Sequence, residues 1–100
     1  MLNQAVLVGR VSKLPEIKKE NDKEFLTLSI AVPRNYKNDE GIYETDFLNC
    51  ILWSGVAENV EQFCNIGDMV GIKGKIQNIN NIPNIIAEKV TFLAGKKNEE

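Results

Sequence analysis

Histidine is missing from this sequence altogether. With it go the commonest general base and the commonest metal ligand, which disfavours an enzyme and implies neither a metal nor a cofactor. Cysteine is scarce. Cys50 and Cys64 lack the Cys-x-x-Cys spacing of metal and redox motifs and sit in apolar patterns, where each reads as a small buried hydrophobe. No apolar run is long enough to span a bilayer and no charged-then-apolar leader opens the chain, so cytoplasmic residence without a membrane is expected. Positive charge is not in excess either. Twelve basic residues against 14 acidic ones give a net charge of -2, so a nucleic-acid partner would depend on local clustering. Repeats, low-complexity segments and dividing linkers are also lacking, and 100 residues make one domain with a single modest core.

What is present is ordinary for a soluble globular protein, with 43% hydrophobic and 26% charged residues. Leu2 to Val11 is a β-branched-rich run that predicts a strand with a bend at Gly9, ended by Leu14-Pro15. Glu16 to Glu24 is dense in both charge signs and reads as a solvated turn around Asn21-Asp22. Phe25 to Val32 alternates, with Leu26, Leu28, Ile30 and Val32 inward and Thr27, Ser29 and Ala31 outward, completing an antiparallel hairpin. Pro33 to Ile42 reads as a long polar loop holding Arg34, Tyr36 and Lys37. Tyr43 to Trp53 is the third strand.

Ser54 is the expected N-cap of a short helix, with Glu58 in its first turn; Val56, Val60, Phe63 and Cys64 share one face, and Gly67 follows its end. Met69 to Ile76 predicts a fourth strand, with Val70, Ile72 and Ile76 inward and Lys73 and Lys75 outward. A turn from Asn78 to Asn84 and a fifth strand, Ile85 to Leu93, complete the set. Five strands with one helix between the third and fourth is the order of an OB-fold, an all-β five-stranded Greek-key barrel, here expected over residues 1–95 with a polar tail at 96–100.

The third strand carries the functional signal. Leu48, Cys50 and Leu52 suit a core, whereas Tyr43, Thr45, Phe47, Asn49, Ile51 and Trp53 share the other face. Aromatic rings stack on any unpaired base, and neighbouring cations neutralise phosphates. Phe47, Trp53 and Tyr36 are the stacking candidates and Asn49 a partner for a base edge or phosphate. Arg10, Arg34, Lys37, Lys73 and Lys75 are the candidate cations, provided the barrel curls the fourth strand beside the third. Each has a plainer use: Phe47 as packing, Trp53 as a barrel cap, Tyr36 folded back on the sheet, Lys73 and Lys75 as guards of an edge. The carboxylates Asp39, Glu40, Glu44 and Asp46 read as a solvated turn, not a catalytic pair.

At these residues the sequence resembles the bacterial single-stranded DNA-binding protein family. The matching segments are Leu2-Asn3 with Val6 to Val11, Asp46 to Trp53, Ala57 to Val60, Gly67 to Ile76 and, more faintly, Ile86 to Leu93. No one segment is decisive; their order and spacing together are specific. The resemblance implies a homotetramer that coats single-stranded DNA without sequence preference in replication, recombination and repair, at the nucleoid. It puts Phe47 and Trp53 on the family's third-strand stacking positions, Tyr36 near a third, and Leu2 to Val11 at a dimer interface.

Three departures stand out. Gln77 to Asn84 is short and lacks an aromatic, which implies weaker contact there, and Leu14 replaces an acidic residue before Pro15-Glu16. Relatives usually continue to an acidic tip ending in phenylalanine that recruits replication and repair proteins, whereas this sequence ends at Asn98-Glu99-Glu100. A DNA-binding core and a tailless phage or plasmid form both fit that ending. So does an alternative function, a primosomal-type adaptor dimer whose main role is protein contact. An enzyme acting on nucleotides or sugars is the third reading, and it lacks an evident base.

Overall fold

Leu26, Leu28 and Ile30 are buried while Phe25, Thr27 and Ser29 between them are half-buried, the period-two signature of a strand with one inner face. That strand is β2 (Lys23–Lys37) of a computed structural model that describes residues 1–93. The others are β1 (Ala5–Glu20), β3 (Tyr43–Leu52), β4 (Met69–Ile79) and β5 (Ile82–Phe92), with α1 (Ser54–Phe63) between β3 and β4. They close a barrel in the order β1-β2-β3-β5-β4, the expected OB-fold. The tail expected at 96–100 and the domain limit at 95 lie outside the described residues.

Closure rests on two pairings. β1 bends from one neighbour to the next, its Ala5 to Arg10 half on β4 and its Arg10 to Glu20 half on β2. β5 slots against β3 in parallel through Cys50↔Ile85 and Ile51↔Ile86. The fourth strand therefore does not lie beside the third, as the sequence reading required; β5 stands between them. Inside, Leu28, Ile30, Cys50, Leu52, Val70 and Ile72 are essentially inaccessible, and Val60 of α1 plugs one end. Both cysteines are free and buried.

Three hairpin arms are longer than their sequences suggest. β1 runs on through Pro15 to Glu20, because register shifts between Val11 and Glu16 absorb extra residues and only β2 flanks this half. A proline at such a bulged edge forfeits no ladder bond. β2 continues to Lys37, so Arg34, Tyr36 and Lys37 stand on a strand and not in a long loop. β4 and β5 extend to a two-residue turn. Both tight turns, Asn21-Asp22 and Asn80-Asn81, have positive φ at both residues (52° and 65°, 54° and 66°), the conformation whose twist suits a two-residue hairpin. Pro83 lies within β5, and Ile76, expected inward, is 49% exposed.

The helix differs in detail as well. Trp53, not Ser54, is its N-cap, with the amides of Val56 and Ala57 donating to the Trp53 carbonyl at 3.0 and 2.9 Å. No acidic residue falls in its first turn, and Phe63 faces solvent, leaving Ala57 and Val60 as its buried residues with Cys64 just beyond. Gly67 takes φ +93° in the turn before β4 and does not cap the helix.

β4 and β5 approach so closely at Gly74 that a Cβ there would collide with the Ile86 carbonyl. Gly74→Ala is expected to force these strands apart and to destabilise the fold by about 1–3 kcal/mol in urea unfolding. A variant as stable as the parent would show that the barrel yields there.

Candidate nucleic-acid interface

The β2–β3 register builds the outer face row by row. Arg10, Ala31 and Phe47 stand across β1, β2 and β3; Lys13, Ser29 and Asn49 form the next row, and Glu16, Thr27 and Ile51 the one after. Lys18 pairs with Phe25, and the Phe25 ring lies 4.9 Å from that of Trp53 at a 52° tilt. Phe47 is 68% exposed and Trp53 38%, so among the described residues neither ring is covered by another layer. Six residues of strand separate them, about 20 Å at ~3.3 Å per residue.

Between the two ring stations runs an open trough of about 250 Å³ lined by Lys13, Lys18, Thr27, Ser29 and Asn49, with Leu14 and Glu16 at its side. Ser12 donates to the Ser29 carbonyl and lies 2.9 Å from the Ser29 hydroxyl, fixing the trough's floor at the β1 bulge. Lys18 is shared with Glu16 at 3.6 Å in an exposed pair that leaves its charge largely available. Ile51 is the exception to the open face. It pairs with Ile86 as well as Thr27 and is only 6% exposed, so the platform has an apolar gap in front of Trp53.

The remaining candidates are dispersed. Arg10 adjoins the Phe47 row but also donates to the Gly67 carbonyl at 3.0 Å. Tyr36 is 60% exposed on the far arm of the β2–β3 hairpin, beside Lys37, whose ammonium sits 5.7 Å from the Tyr43 ring. Arg34 is at the base of that arm, but its charge is met by Asp46 and Glu44. Lys75 pairs with Ile86 and so lies two strand spacings, about 10 Å, from Ile51. Lys73 is flanked by Val6 and Lys89, on the part of the barrel closed by β1. The structure thus brings Phe47, Asn49 and Trp53 onto one surface with Arg10 at its edge, and sets Lys73 and Lys75 apart from it.

Three residues of this surface escape a strand-by-strand reading: Lys13, Lys18 and Phe25. Phe25 carried a usable signal, since it shares parity with Thr27 and Ser29 on the wet face of β2. Lys13 and Lys18 carried none, because their segment reads as a charged turn until β2 is paired with it.

Electrostatics on the hairpin are local. The Arg34 guanidinium holds the Asp46 carboxyl below its usual 3.8, and Asp46 in turn raises the guanidinium further above its ordinary value. Burial pushes the Cys50 thiol up to about 12 and that of Cys64 up to about 11, with Asp68 adding to the latter, so both are poor nucleophiles.

A small barrel with an open ring-and-amide surface across its second and third strands is an oligonucleotide-binding type of OB-fold. Comparison with known proteins narrows the class. The sequence model of the single-strand binding protein family matches residues 2–93, and the chain belongs to that family. It is 37% identical to single-stranded DNA-binding protein 3 of Listeria innocua, over 98% of this chain and 68% of that one. Among solved structures, the Plasmodium falciparum SSB complex with ssDNA superposes with a TM-score of 0.75 at 22% identity, covering 94% of this chain and 97% of that one. The dimeric N-terminal domain of PriB protein from Thermoanaerobacter tencongensis gives 0.72 at 22% identity, covering 93% and 98%. Both structures support the fold alone.

Because the folded state lowers the Asp46 carboxyl, the pair's contribution to folding is present above the ordinary carboxylate range and lost as pH falls through the lowered value. Asp46→Asn should therefore lower the urea midpoint at neutral pH, with the gap closing in acid. A gap independent of pH would assign the effect to something other than this pair.

Proposed function

We propose that this protein coats single-stranded DNA without sequence preference and serves replication, recombination and repair, in the cytoplasm at the nucleoid. The observation that carries the reading is the open surface on which Phe47, Asn49 and Trp53 stand, with a polar trough between the two rings. Bases stack on Phe47 and Trp53, and Tyr36 adds a further station on the hairpin arm. Rings accept every base alike, which removes sequence preference. Asn49, with Thr27 and Ser29 beside it, hydrogen-bonds base edges or phosphates. Lys13, Lys18, Arg10 and Lys37 neutralise phosphates along the path, and Lys75 receives strand that continues round the barrel, whereas Lys73 lies with the subunit contact of β1. The slightly acidic whole is no obstacle, because the two carboxylates nearest the base of the β2–β3 arm, Glu44 and Asp46, are held by Arg34.

The working form is a homotetramer in which β1 meets its counterpart in a second subunit. Val6 and Val8 support that assignment. They are 68% and 52% exposed on the outer face of β1, beside a shallow recess lined with Gly71, Lys73, Lys89 and Thr91. Apolar side chains grouped in this way favour burial against another chain. Recruitment of replication and repair proteins is not assigned to any described surface.

Trp53 is the single tryptophan. Its emission should be strongly quenched by oligo-dT and recover as salt rises; unchanged emission during a saturating titration would remove Trp53 from the path. Phe47→Ala should cost about 1–3 kcal/mol of affinity, and an unaltered dissociation constant would take that ring out of the site. Light scattering of the free protein should give four subunits. A dimer would favour the adaptor reading instead.

A further inference from the structure

Every nitrogen of the Arg34 guanidinium is engaged. Nε donates to Asp46 Oδ2 at 3.1 Å, Nη2 to Asp46 Oδ1 at 2.9 Å and Nη1 to Glu44 Oε1 at 2.7 Å. This two-toothed grip on one carboxylate and single bond to a second is the geometry in which arginine holds most firmly. It spans a defect in the sheet. The β2–β3 ladder is regular up to Pro33↔Thr45 and resumes only at Lys37↔Tyr43, so four steps on β2 answer two on β3. Pro33 has no amide hydrogen to offer. Arg34 sits where backbone pairing fails, and its side chain supplies the cross-strand bonds the main chain lacks.

Beyond the gap the arm is ordered by its own contacts. The Asn38 side chain accepts from the amides of Glu40 and Ile42 at 2.8 and 3.0 Å, and Asn38 donates to the Ile42 carbonyl at 2.8 Å. The tip, with Tyr36 and Tyr43 60% and 56% exposed, is thus bonded within itself and joined to the barrel through a bulge. A phosphate approaching Arg34 would meet Asp46 and Glu44 as well, a cluster of one positive and two negative charges.

We propose that Arg34 is a positioning residue and not a phosphate ligand: gripped by Asp46 and Glu44 across the bulge, it fixes the angle at which the β2–β3 arm presents Tyr36 and Lys37 to single-stranded DNA, a role that rests on the function proposed above. The grip itself stands without that function. It makes two demands. Loosening it must mobilise the arm in the free protein, and it must weaken DNA binding by way of Tyr36 and Lys37, with no ionic contact of Arg34 itself to remove.

Arg34→Met, which keeps the stem and loses the fork, and Asp46→Asn, which loses the acceptor charge, test both. Amide hydrogen exchange of the free proteins should quicken over residues 35–42 in each variant. Affinity for oligo-dT should fall several-fold in both, and in a Lys37→Ala background, where the arm's other cation is gone, Arg34→Met should leave the slope of log affinity against log salt unchanged. Tyr36→Ala should cost less in the Arg34→Met background than in the parent. A phosphate ligand would behave otherwise: in the Lys37→Ala background Arg34→Met would still flatten the salt slope by about 0.7, Asp46→Asn would tighten binding, and either result overturns the proposal. Unchanged hydrogen exchange overturns it too, whether or not DNA binds. Failure of the parent to bind oligo-dT would strike the DNA reading and leave the grip to be decided by exchange alone. Should Arg34→Met not fold, Glu44→Gln combined with Asp46→Asn applies the same tests.

Discussion

The register of β2 against β3 is the constraint on which this molecule turns. With Ile30 opposite Leu48 and Leu28 opposite Cys50, the inner faces fill the barrel. A slip of one residue would drive Phe47 and Asn49 inward and expose Leu48 and Cys50. Because Cys50 and Leu52 are completely buried, that slip is expensive, and the core therefore enforces the outward placement of the ring surface. Which side chains face outward is fixed by hydrophobic burial on the inside.

The same economy appears at the ends of the surface. Trp53 leaves β3 and immediately caps α1, so its backbone is set by both elements, and Phe25 from β2 supports its ring from one side. At the other end the barrel's ladder runs out, and the Arg34 fork takes over from backbone pairing. The exposed rings are thus carried by a strand, a helix cap and an arm whose base an ion pair spans. Prior ordering of this kind reduces what binding must spend in immobilising side chains.

Strands whose inner face is apolar were legible from alternation alone, and β2 and β3 with their two faces are the best examples. The arms were not. Lys13 to Glu20 and Arg34 to Lys37 are polar, charged or interrupted by proline, and carry no periodicity of their own. The first is extended because β2 pairs with it, the second because the Arg34 fork and the Lys37↔Tyr43 pair tie it to β3, long-range causes that local pattern does not contain. Lys13, Lys18 and the neutralisation of Arg34 were hidden for that reason. The position of Lys73 and Lys75 was misjudged on another ground: β5, last in the chain, inserts between β3 and β4, and strand order in space is not strand order in sequence.

The sequence by itself determined the barrel class, the inner and outer faces of β2 and β3, and therefore the outward placement of Phe47 and Asn49. Those follow from local alternation and from the cost of wetting aliphatic side chains. Only the tertiary structure decided which cations share that surface, which ring supports Trp53 and whether the charge of Arg34 is available. Such questions depend on residues far apart in the chain, and pairing across strands alone sets their distances.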